Sequence, residues 1–236
     1  MAPSTPIRLS IVIPTLNEAE RLPALLQDLR ALTLPHEIVV ADGGSTDATV
    51  TLAERRGCAV LRSEPGRGRQ LRAGIAATSA PWLLVVHADV RLEPASLREA
   101  EALVTQGPED RFGSWPLRLD GPGLWLRLVE AGAALRWRLF GLAYGDQGLV
   151  LSRAIHDRAG GYPDWAIMED VALSRALHRA GRAVRFRSPI IADARRYLRE
   201  GRIRRSLTNL LLILLFAAGV SPARLSRWYR PEPLVP

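Results

Sequence analysis

The sequence feature that most constrains the fold is a regular alternation of short apolar runs with amphipathic stretches. The apolar runs, several of them rich in β-branched residues, cover positions 9–13, 37–42, 58–61 and 82–86. The amphipathic stretches between and after them carry apolar residues at helical spacing and cover positions 20–32, 45–56, 70–80 and 94–104. Strands that alternate with helices pair in parallel and need helical cover on both faces. The pattern therefore predicts an α/β fold with a mostly parallel sheet between two layers of helices.

The second half of the chain is less regular but continues as part of the same domain. Strands are predicted over 111–120, 147–151 and 183–186, and helices over 124–140 and 169–180. No linker or internal repeat interrupts the 236 residues, of which 47% are apolar and 24% charged. Those fractions are ordinary for globular proteins. We expect a single domain over 1–236.

Cysteine, lysine and glycine usage excludes several classes of site. The single cysteine, Cys58, leaves no intramolecular disulfide and no cysteine-based zinc site. The sequence contains no lysine, so it lacks the Gly-x-x-x-x-Gly-Lys-Ser/Thr loop of P-loop nucleotide hydrolases. The glycine pair Gly66 and Gly68 lacks the third glycine of a dinucleotide-binding motif. The N-terminal residues show no charged-then-apolar leader, so we expect a cytoplasmic protein.

Acidic residues stand at three predicted element ends, and each has two interpretations. Ligands of open α/β sheets bind beyond the carboxyl ends of the strands. Asp42 ends the second run and either accepts hydrogen bonds from a nucleoside or forms the turn with the glycines after it. Asp89 follows the fourth run, where one carboxylate can help to hold Mg²⁺ or Mn²⁺ on a diphosphate, or is an ordinary loop residue. Glu169 and Asp170 begin a predicted helix. They either supply a general base or are ordinary first-turn acids that the helix dipole stabilises.

Four segments, in the same order along the chain, resemble the motifs of the inverting family 2 glycosyltransferases of GT-A fold. Positions 11–18, Ile-Val-Ile-Pro-Thr-Leu-Asn-Glu, resemble the family's first strand and loop, and positions 39–47 resemble its second strand. Positions 84–89, Leu-Val-Val-His-Ala-Asp, stand where the family carries its Asp-x-Asp metal motif. Positions 168–170, Met-Glu-Asp, resemble the motif whose aspartate is the catalytic base. The resemblance covers about 9–180 and implies sugar transfer from a nucleotide-sugar donor, UDP-linked by expectation.

The resemblance also implies roles for individual residues. The catalytic pair is Asp170, as the general base, and its neighbour Glu169. The residues expected to bind the nucleotide sugar, including arginines that neutralise its diphosphate, are Pro14, Thr15, Asn17, Glu18, Asp42, Gly43, Arg67, Arg69, His87, Ala88, Asp89 and Arg196. The turn formed by Gly145, Asp146 and Gln147 either borders the acceptor or only leads into a strand.

Two departures from the family pattern refine these expectations. His87 replaces the first aspartate of Asp-x-Asp, which leaves Asp89 as the main ligand for Mn²⁺ or Mg²⁺ and His87 as a second. The His-Ala-Asp version resembles a subgroup of small stand-alone members associated with lipid-like or small-molecule acceptors. Positions 193–197 keep only a remnant of the Gln-x-x-Arg-Trp box of processive synthases, so we do not expect polymerisation. We expect Asp170 to take the acceptor proton in a single displacement that inverts the anomeric configuration.

The last third of the chain is strongly basic. From residue 171 onward there are 14 arginines and 3 acids, against 18 arginines and 21 acids before it, for a net charge of +8. Positions 210–220 are apolar or glycine throughout, and Trp228, Tyr229 and Arg230 follow them. Eleven helical residues span about 16 Å, less than the roughly 30 Å of a bilayer core. We expect this segment to lie on the cytoplasmic face of an anionic membrane, or else to pack in the core or against a second copy, with the arginines as a solvated face.

Two other functions stay open on the sequence alone. A nucleotidyltransferase acting on sugar phosphates shares the sheet and the cation, but it favours a glycine-rich basic loop after the first strand, which 14–18 lacks. A nucleic-acid-binding protein would use the arginine-rich third but would leave the strand-end acids unexplained. We therefore predict a glycosyltransferase with no nucleic-acid partner. Its parts are a nucleotide-binding half over about 1–110, a catalytic and acceptor half over about 111–198 and a basic apolar region over about 199–236.

Overall fold

Ten strands and ten α-helices make up the part of the chain that the computed structural model describes, residues 6–199 and 201–228, the side chains of residues 196, 199 and 202 excepted. The strands are β1 (Leu9–Thr15), β2 (His36–Asp42), β3 (Ala59–Arg62), β4 (Trp82–Val85), β5 (Val90–Leu92), β6 (Arg111–Ser114), β7 (Leu117–Asp120), β8 (Leu149–Ser152), β9 (Arg182–Arg185) and β10 (Ile190–Asp193). The helices are α1 (Leu22–Leu29), α2 (Thr49–Arg55), α3 (Arg67–Ala76), α4 (Pro94–Gln106), α5 (Leu124–Phe140), α6 (Arg153–Arg158), α7 (Glu169–Ala180), α8 (Arg195–Arg199), α9 (Arg202–Ala217) and α10 (Pro222–Ser226). Tyr229 and Arg230, expected to flank the apolar segment, lie outside the described residues.

The large sheet has seven strands in the order β3-β2-β1-β4-β8-β6-β9. β1 pairs in parallel with β2 and β4, β2 pairs in parallel with β3, and β8 runs antiparallel to both β4 and β6. A second sheet has the order β5-β10-β7. The expected mostly parallel sheet is therefore confirmed, whereas the division of the chain into two halves and a C-terminal region stays a prediction.

The single strand predicted over 111–120 is wrong, because this segment forms two strands in different sheets. β6 pairs with β8 and β9 in the large sheet, and β7 pairs with β10 in the small one. The break falls at Trp115 and Pro116. Proline has no N–H to give to a strand ladder, and Trp115 is fully buried with its backbone N–H bonded to the carbonyl of Gln147 at 3.1 Å.

The core lies on both faces of the large sheet because β1 is buried along its whole length. Successive side chains of a strand point to opposite faces. Ile11 and Ile13 join one apolar cluster with Leu22 and Leu25 of α1, and Val12 joins a second cluster with residues of α3 and α7. Helices thus cover both faces, as the sequence pattern predicts.

Parallel pairing brings the loops that follow β1, β2 and β4 to one edge of the sheet. Thr15 at the end of β1 lies opposite Asp42 at the end of β2, and β4 pairs with the other side of β1. α3 begins at Arg67, three residues before the predicted start, so its first turn also lies near this edge. The strand ends singled out by the sequence therefore share one region.

The first turn of α3 packs against the loop before α7 so closely that only glycine fits at position 68. A Cβ on Gly68 would overlap the carbonyl oxygen of Pro163 and lie 2.6 Å from that of Trp165. The Gly68 N–H donates to the Trp165 carbonyl at 2.9 Å. Both obstacles are backbone atoms, so the added methyl group forces the two segments apart.

We predict that Gly68→Ala lowers the free energy of unfolding by about 1–3 kcal/mol, as expected for overpacking. Gly132→Ala is the matched control, because Gly132 lies inside α5 with nothing near the added methyl group. That change should stabilise by about 0.5–1 kcal/mol through helix propensity. Urea unfolding of both variants measures the two effects, and equal stability of the two variants would contradict the close approach.

Candidate active site

The carboxylate of Asp42 is buried and forms the turn after β2. Its Oδ2 accepts hydrogen bonds from the backbone N–H groups of Gly44 at 3.0 Å and Ser45 at 2.8 Å. Its Oδ1 accepts from the Thr15 hydroxyl at 3.1 Å and from the Ser45 hydroxyl at 2.5 Å. Only 1% of Asp42 is exposed. Of the two interpretations of Asp42, the geometry is that of the turn-forming residue.

The loop after β1 is fastened to the loop after β2. Asn17 has a left-handed backbone, with φ of 56°, and its side-chain oxygen accepts the Thr46 N–H at 2.8 Å. The Glu18 N–H donates to the Thr49 hydroxyl at 2.8 Å. Pro14 and Gly43 are buried beneath these loops, whereas Asn17 and Glu18 are partly exposed. The predicted nucleotide-binding residues of both loops therefore belong to one hydrogen-bonded rim.

Gln70 is a site residue that sequence reasoning missed. Its side-chain amide donates to the carbonyls of Thr15 and Ala41, both at 2.8 Å, and so ties α3 to the ends of β1 and β2. It also packs against Gly43, where an added Cβ would lie 3.1 Å away. The sequence feature that could have identified Gln70 is its place next to Leu71 in a predicted helix, where a polar side chain that faces the core must find hydrogen-bond partners.

The three predicted arginines have different surroundings. The positive charge of Arg67 opposes the rise in the pKa of both Asp146 and Glu169. Arg69 is instead 45% exposed and forms ion pairs with Asp164 at 2.7 Å and Glu64 at 3.2 Å. The side chain of Arg196 lies outside the described part of the chain.

Asp170 is held at the start of α7 by the turn that precedes β8. Its Oδ2 accepts the backbone N–H of Gly145 at 2.7 Å, and its Oδ1 accepts the N–H of Val171 at 2.7 Å. A Cβ on Gly145 would lie 2.6 Å from the ring of His87, so that ring packs directly on the glycine. The segment after β4 and the start of α7 therefore meet across Gly145.

These residues line one cleft. Its walls include His87, Tyr144, Gly145, Tyr162, Glu169 and Asp170. Ala88 is buried behind it, and Asp89 is partly exposed. The carboxyl groups predicted from separate parts of the sequence are thus brought together, except for Asp42, which is used inside its turn.

Glu169 differs sharply from its neighbour Asp170. It is 1% exposed, and its Oε2 has no hydrogen-bond partner among the described residues. Burial, together with the charge of Asp170, raises the pKa of Glu169 to about 8, although Arg67 opposes the rise. Glu169 is therefore mostly neutral at pH 7, which makes it a poor proton acceptor there.

The turn Gly145–Gln147 carries a second buried carboxyl. Oδ1 of Asp146 is buried with no hydrogen-bond partner in the described part of the chain. Burial raises the pKa of Asp146 to about 6, and the charges of Asp170 and Asp89 add to the rise while Arg136 opposes it. Asp146 is therefore close enough to both Asp89 and Asp170 to be affected by their charges.

Arg136 of α5, which sequence reasoning also missed, holds this turn in place. Its guanidinium donates to the carbonyl of Leu142 at 3.2 Å and to the side-chain oxygen of Gln147 at 2.5 Å. It also stacks 3.4 Å above the centre of the Tyr144 ring. Through the turn it fixes the N–H of Gly145 that binds Asp170.

A divalent cation fits this site only if a substrate supplies most of its ligands. In residues 6–199 and 201–228, no group of three or more histidine, cysteine or acidic side chains is arranged to hold a metal ion. Asp89 and His87 offer two ligands. Nearby, Oδ1 of Asp146 has no hydrogen-bond partner among the described residues, and the charge of Asp89 raises the pKa of Asp146, so a cation here would offset neighbouring negative charges. A hard cation shared with diphosphate oxygens needs few protein carboxylates, so the two residues fit that role.

We predict that the unliganded protein loses stability as the pH rises from about 5 to about 8. Unfolded Glu169 ionises near its ordinary pKa of 4.5, whereas the folded residue keeps its proton until about 8. The unfolded chain then binds fewer protons, so the free energy of unfolding falls across this window. Asp146, with its pKa near 6, contributes in the lower part.

The variant Glu169→Gln should flatten most of that slope in urea unfolding measured at several pH values, because the neutral amide stays neutral. Glu109→Gln, an exposed acid, serves as the control and should keep the wild-type slope. A Glu169→Gln slope equal to that of the wild type would contradict the buried, protonated state of Glu169.

Comparison with known proteins gives the family. Residues 10–161 match the family described as Glycosyl transferase family 2. Rv0539, an uncharacterised glycosyltransferase of Mycobacterium tuberculosis, is 30% identical over 168 residues, which are 65% of this chain and 74% of that protein. The undecaprenyl-phosphate 4-deoxy-4-formamido-L-arabinose transferase of Serratia proteamaculans is 30% identical over 158 residues, 61% of this chain and 48% of that protein.

A solved structure confirms the GT-A architecture expected from the sequence. Glucosyl-3-phosphoglycerate synthase from Mycobacterium tuberculosis, in complex with Mn²⁺, UDP and glucosyl-3-phosphoglycerate, aligns with a TM-score of 0.56 at 21% identity. The alignment covers 79% of this chain and 70% of that one. The family assignment favours sugar transfer over nucleotidyl transfer and over nucleic-acid binding. Because the family match spans well over half of its length, this chain belongs to glycosyl transferase family 2 and is a glycosyltransferase.

Proposed function

We propose that this glycosyltransferase inverts the anomeric configuration and uses a UDP-linked sugar donor, with Asp170 as its general base. The observation that carries the proposal is the position of Asp170 in the cleft, held by the Gly145 N–H at 2.7 Å and facing His87 across that glycine. The neutral state of Glu169 supports it, because a protonated carboxyl cannot act as the base. Glu169 is assigned as the buried, neutral neighbour of that base.

The donor is proposed to bind at the rim formed by the loops after β1, β2 and β4. The residues assigned to it are Pro14, Thr15, Asn17, Glu18, Asp42, Gly43, Arg67, Arg69, His87, Ala88, Asp89 and Arg196. Asp42 contributes by shaping its turn, since its oxygens are already hydrogen-bonded there. Arg67 is the arginine best placed to neutralise the diphosphate, because its charge already acts on the cleft carboxyls.

Asp89, with His87 beside it, is proposed to hold Mn²⁺ or Mg²⁺ on the donor. The bound cation would stabilise negative charge on the departing diphosphate. The structural neighbour that contains both Mn²⁺ and UDP supports this assignment by analogy. Two protein ligands would suffice if phosphate oxygens of the donor supplied the others.

The chemical step is a single displacement. Asp170 accepts the proton of the acceptor hydroxyl as the acceptor oxygen forms a bond to the anomeric carbon. The bond between that carbon and the diphosphate oxygen breaks at the same time, and its electron pair leaves with UDP. The Gly145 N–H holds one carboxylate oxygen, so the proton is taken by a base of fixed orientation.

The acceptor is proposed to enter beside Gly145, Asp146 and Gln147, the turn that Arg136 holds. A small or lipid-like acceptor fits the expectation from the His-Ala-Asp motif, and the Serratia relative named for an undecaprenyl phosphate supports the lipid-like class. The cytoplasmic face of a membrane is the proposed place of work. Within the described residues, no helix is both long and apolar enough to cross a membrane.

We predict that Asp170→Asn lowers kcat by about 10²–10⁴-fold, the usual contribution of general-base catalysis. The amide still accepts the Gly145 N–H, so the fold and UDP affinity should stay close to wild type. Turnover of a nucleotide-sugar panel and calorimetric titration with UDP measure the two effects separately. Asp110→Asn, an exposed carboxylate, is the control; near-wild-type turnover of Asp170→Asn would contradict the assigned role.

We predict that Mn²⁺ raises UDP affinity of the wild type by about tenfold or more, equivalent to at least 1.4 kcal/mol. Asp89→Asn should abolish most of that gain, because it removes the charged ligand, while UDP binding without Mn²⁺ should change little. Calorimetry with and without Mn²⁺ tests both. A Mn²⁺ effect that survives in Asp89→Asn would place the cation elsewhere.

A further inference from the structure

Helix α5 exposes an apolar stripe along its whole length. Leu124, Leu128, Leu135 and Leu139 follow one another at spacings of four or seven residues, which puts them on one helix face. Each is more than half exposed, with Leu124 at 75%. A helix of a water-soluble domain normally turns such a stripe toward the core.

Helix α9 exposes a second stripe of the same kind. Five apolar residues at spacings of four, three, one and three are each 53–59% exposed: Ile203, Leu207, Leu210, Leu211 and Leu214. The opposite side of the helix is the packed one, since Leu212 is buried with Ile167 and Leu225. We call the exposed stripes of α5 and α9 together the apolar face.

The two stripes lie on adjacent helices. The indole N–H of Trp125 on α5 donates to the Ser206 hydroxyl on α9 at 3.1 Å. An open cleft of about 370 Å³ lies between the helices and is lined by Trp125, Gly201, Ile203 and Arg204. Two neighbouring helices that both expose rows of large apolar side chains point to an interaction site rather than ordinary solvent-facing surface.

The charge around the apolar face is of one sign. Positions 201–228 contain five arginines and no acidic residue. The one acid of α5, Glu130, is paired with Arg127 at 2.7 Å. Arg204, Arg224 and Arg227 are exposed. Exposed apolar side chains beside the exposed arginines Arg204, Arg224 and Arg227 suit an anionic lipid surface, where hydrocarbon and phosphate lie side by side.

The lengths of the helices restrict the mode of contact. At 1.5 Å per residue, 17 residues of α5 and 16 of α9 span about 25 Å each, less than the roughly 30 Å of a bilayer core. Both helices belong to the folded domain through their inner sides. They can therefore lie in the interface with their exposed leucines inserted among the lipids.

The inner sides of the same two helices hold the catalytic turns. Arg136 of α5 fixes the turn before β8 that binds Asp170. α9 packs on Ile167 and Met168, which directly precede Glu169. Tyr197 of α8 hydrogen-bonds Asn209 of α9, and its pKa is raised by burial and by the charge of Asp146. The apolar face therefore backs the acceptor side of the cleft.

We propose that the apolar face of α5 and α9 docks on the surface of an anionic bilayer and so holds the acceptor side of the cleft close to it. The proposal deepens the proposed function, on which its second half rests, because a lipid-like acceptor then reaches Asp170 from the leaflet that carries it. The docking itself depends only on the leucines and arginines of the two helices and α10.

Sedimentation of the full chain with vesicles tests the docking. Wild type should bind phosphatidylcholine vesicles that contain phosphatidylglycerol, bind pure phosphatidylcholine vesicles weakly, and lose most of the anionic binding at high salt. The pairs Leu128→Gln with Leu135→Gln on α5, and Leu207→Gln with Leu211→Gln on α9, should each weaken binding by about tenfold or more. Ile7→Gln, an exposed apolar residue ahead of β1, is the control and should bind as wild type.

Two control measurements separate loss of membrane binding from loss of the fold or of activity. Circular dichroism and hydrolysis of the donor without vesicles should match wild type in all the leucine variants, which shows that the fold and the chemistry are intact. Vesicle binding that ignores both leucine pairs, or absence of binding by a chain that still hydrolyses the donor, would overturn the docking and leave the proposed chemistry standing. A wild-type dimer that the same variants split, without vesicle binding, would assign the face to a second copy instead.

Discussion

The hydrogen bond from the Gly145 N–H to Oδ2 of Asp170, at 2.7 Å, is the constraint on which the rest of the site depends. It joins the turn before β8 to the first turn of α7, two segments 25 residues apart in the sequence. Glycine at this position lets the ring of His87 pack directly on the turn, because a Cβ would lie 2.6 Å from that ring. Arg136 holds the turn from behind, so the orientation of the carboxylate is set by α5 as well as by α7.

The acidic residues of the cleft are separated by their surroundings. Glu169 is buried beside Asp170 and keeps its proton up to a pKa of about 8, whereas Asp146, nearer to Arg136, ionises at about 6. Neighbouring carboxyls whose pKa values are pushed apart take different roles in one reaction. In the proposed reaction the neutral Glu169 adds no second negative charge next to Asp170, and the carboxyls of Asp89 and Asp146 favour a bound cation and the nearby charge of Arg67.

Much of this arrangement was predictable from local sequence patterns. The parallel sheet, the bounds of α5 and α7, and the strand-end positions of Asp42 and Asp89 follow from apolar periodicity and strand polarity. Gln70 and Arg136 were not predictable, because each acts on backbone or side-chain groups that only the tertiary fold brings to it. The exposure of the α5 leucines was missed for the same reason, since an amphipathic pattern does not say whether its apolar side meets a core.

The most direct test of the central claim is the anomer of the sugar first released when water replaces the acceptor. The wild-type enzyme would be incubated with UDP-linked α-hexoses, and the product followed by proton NMR faster than mutarotation. A base fixed opposite the departing diphosphate predicts that the β-anomer appears first. Initial release of the α-anomer would contradict the single displacement and the role of Asp170 in it.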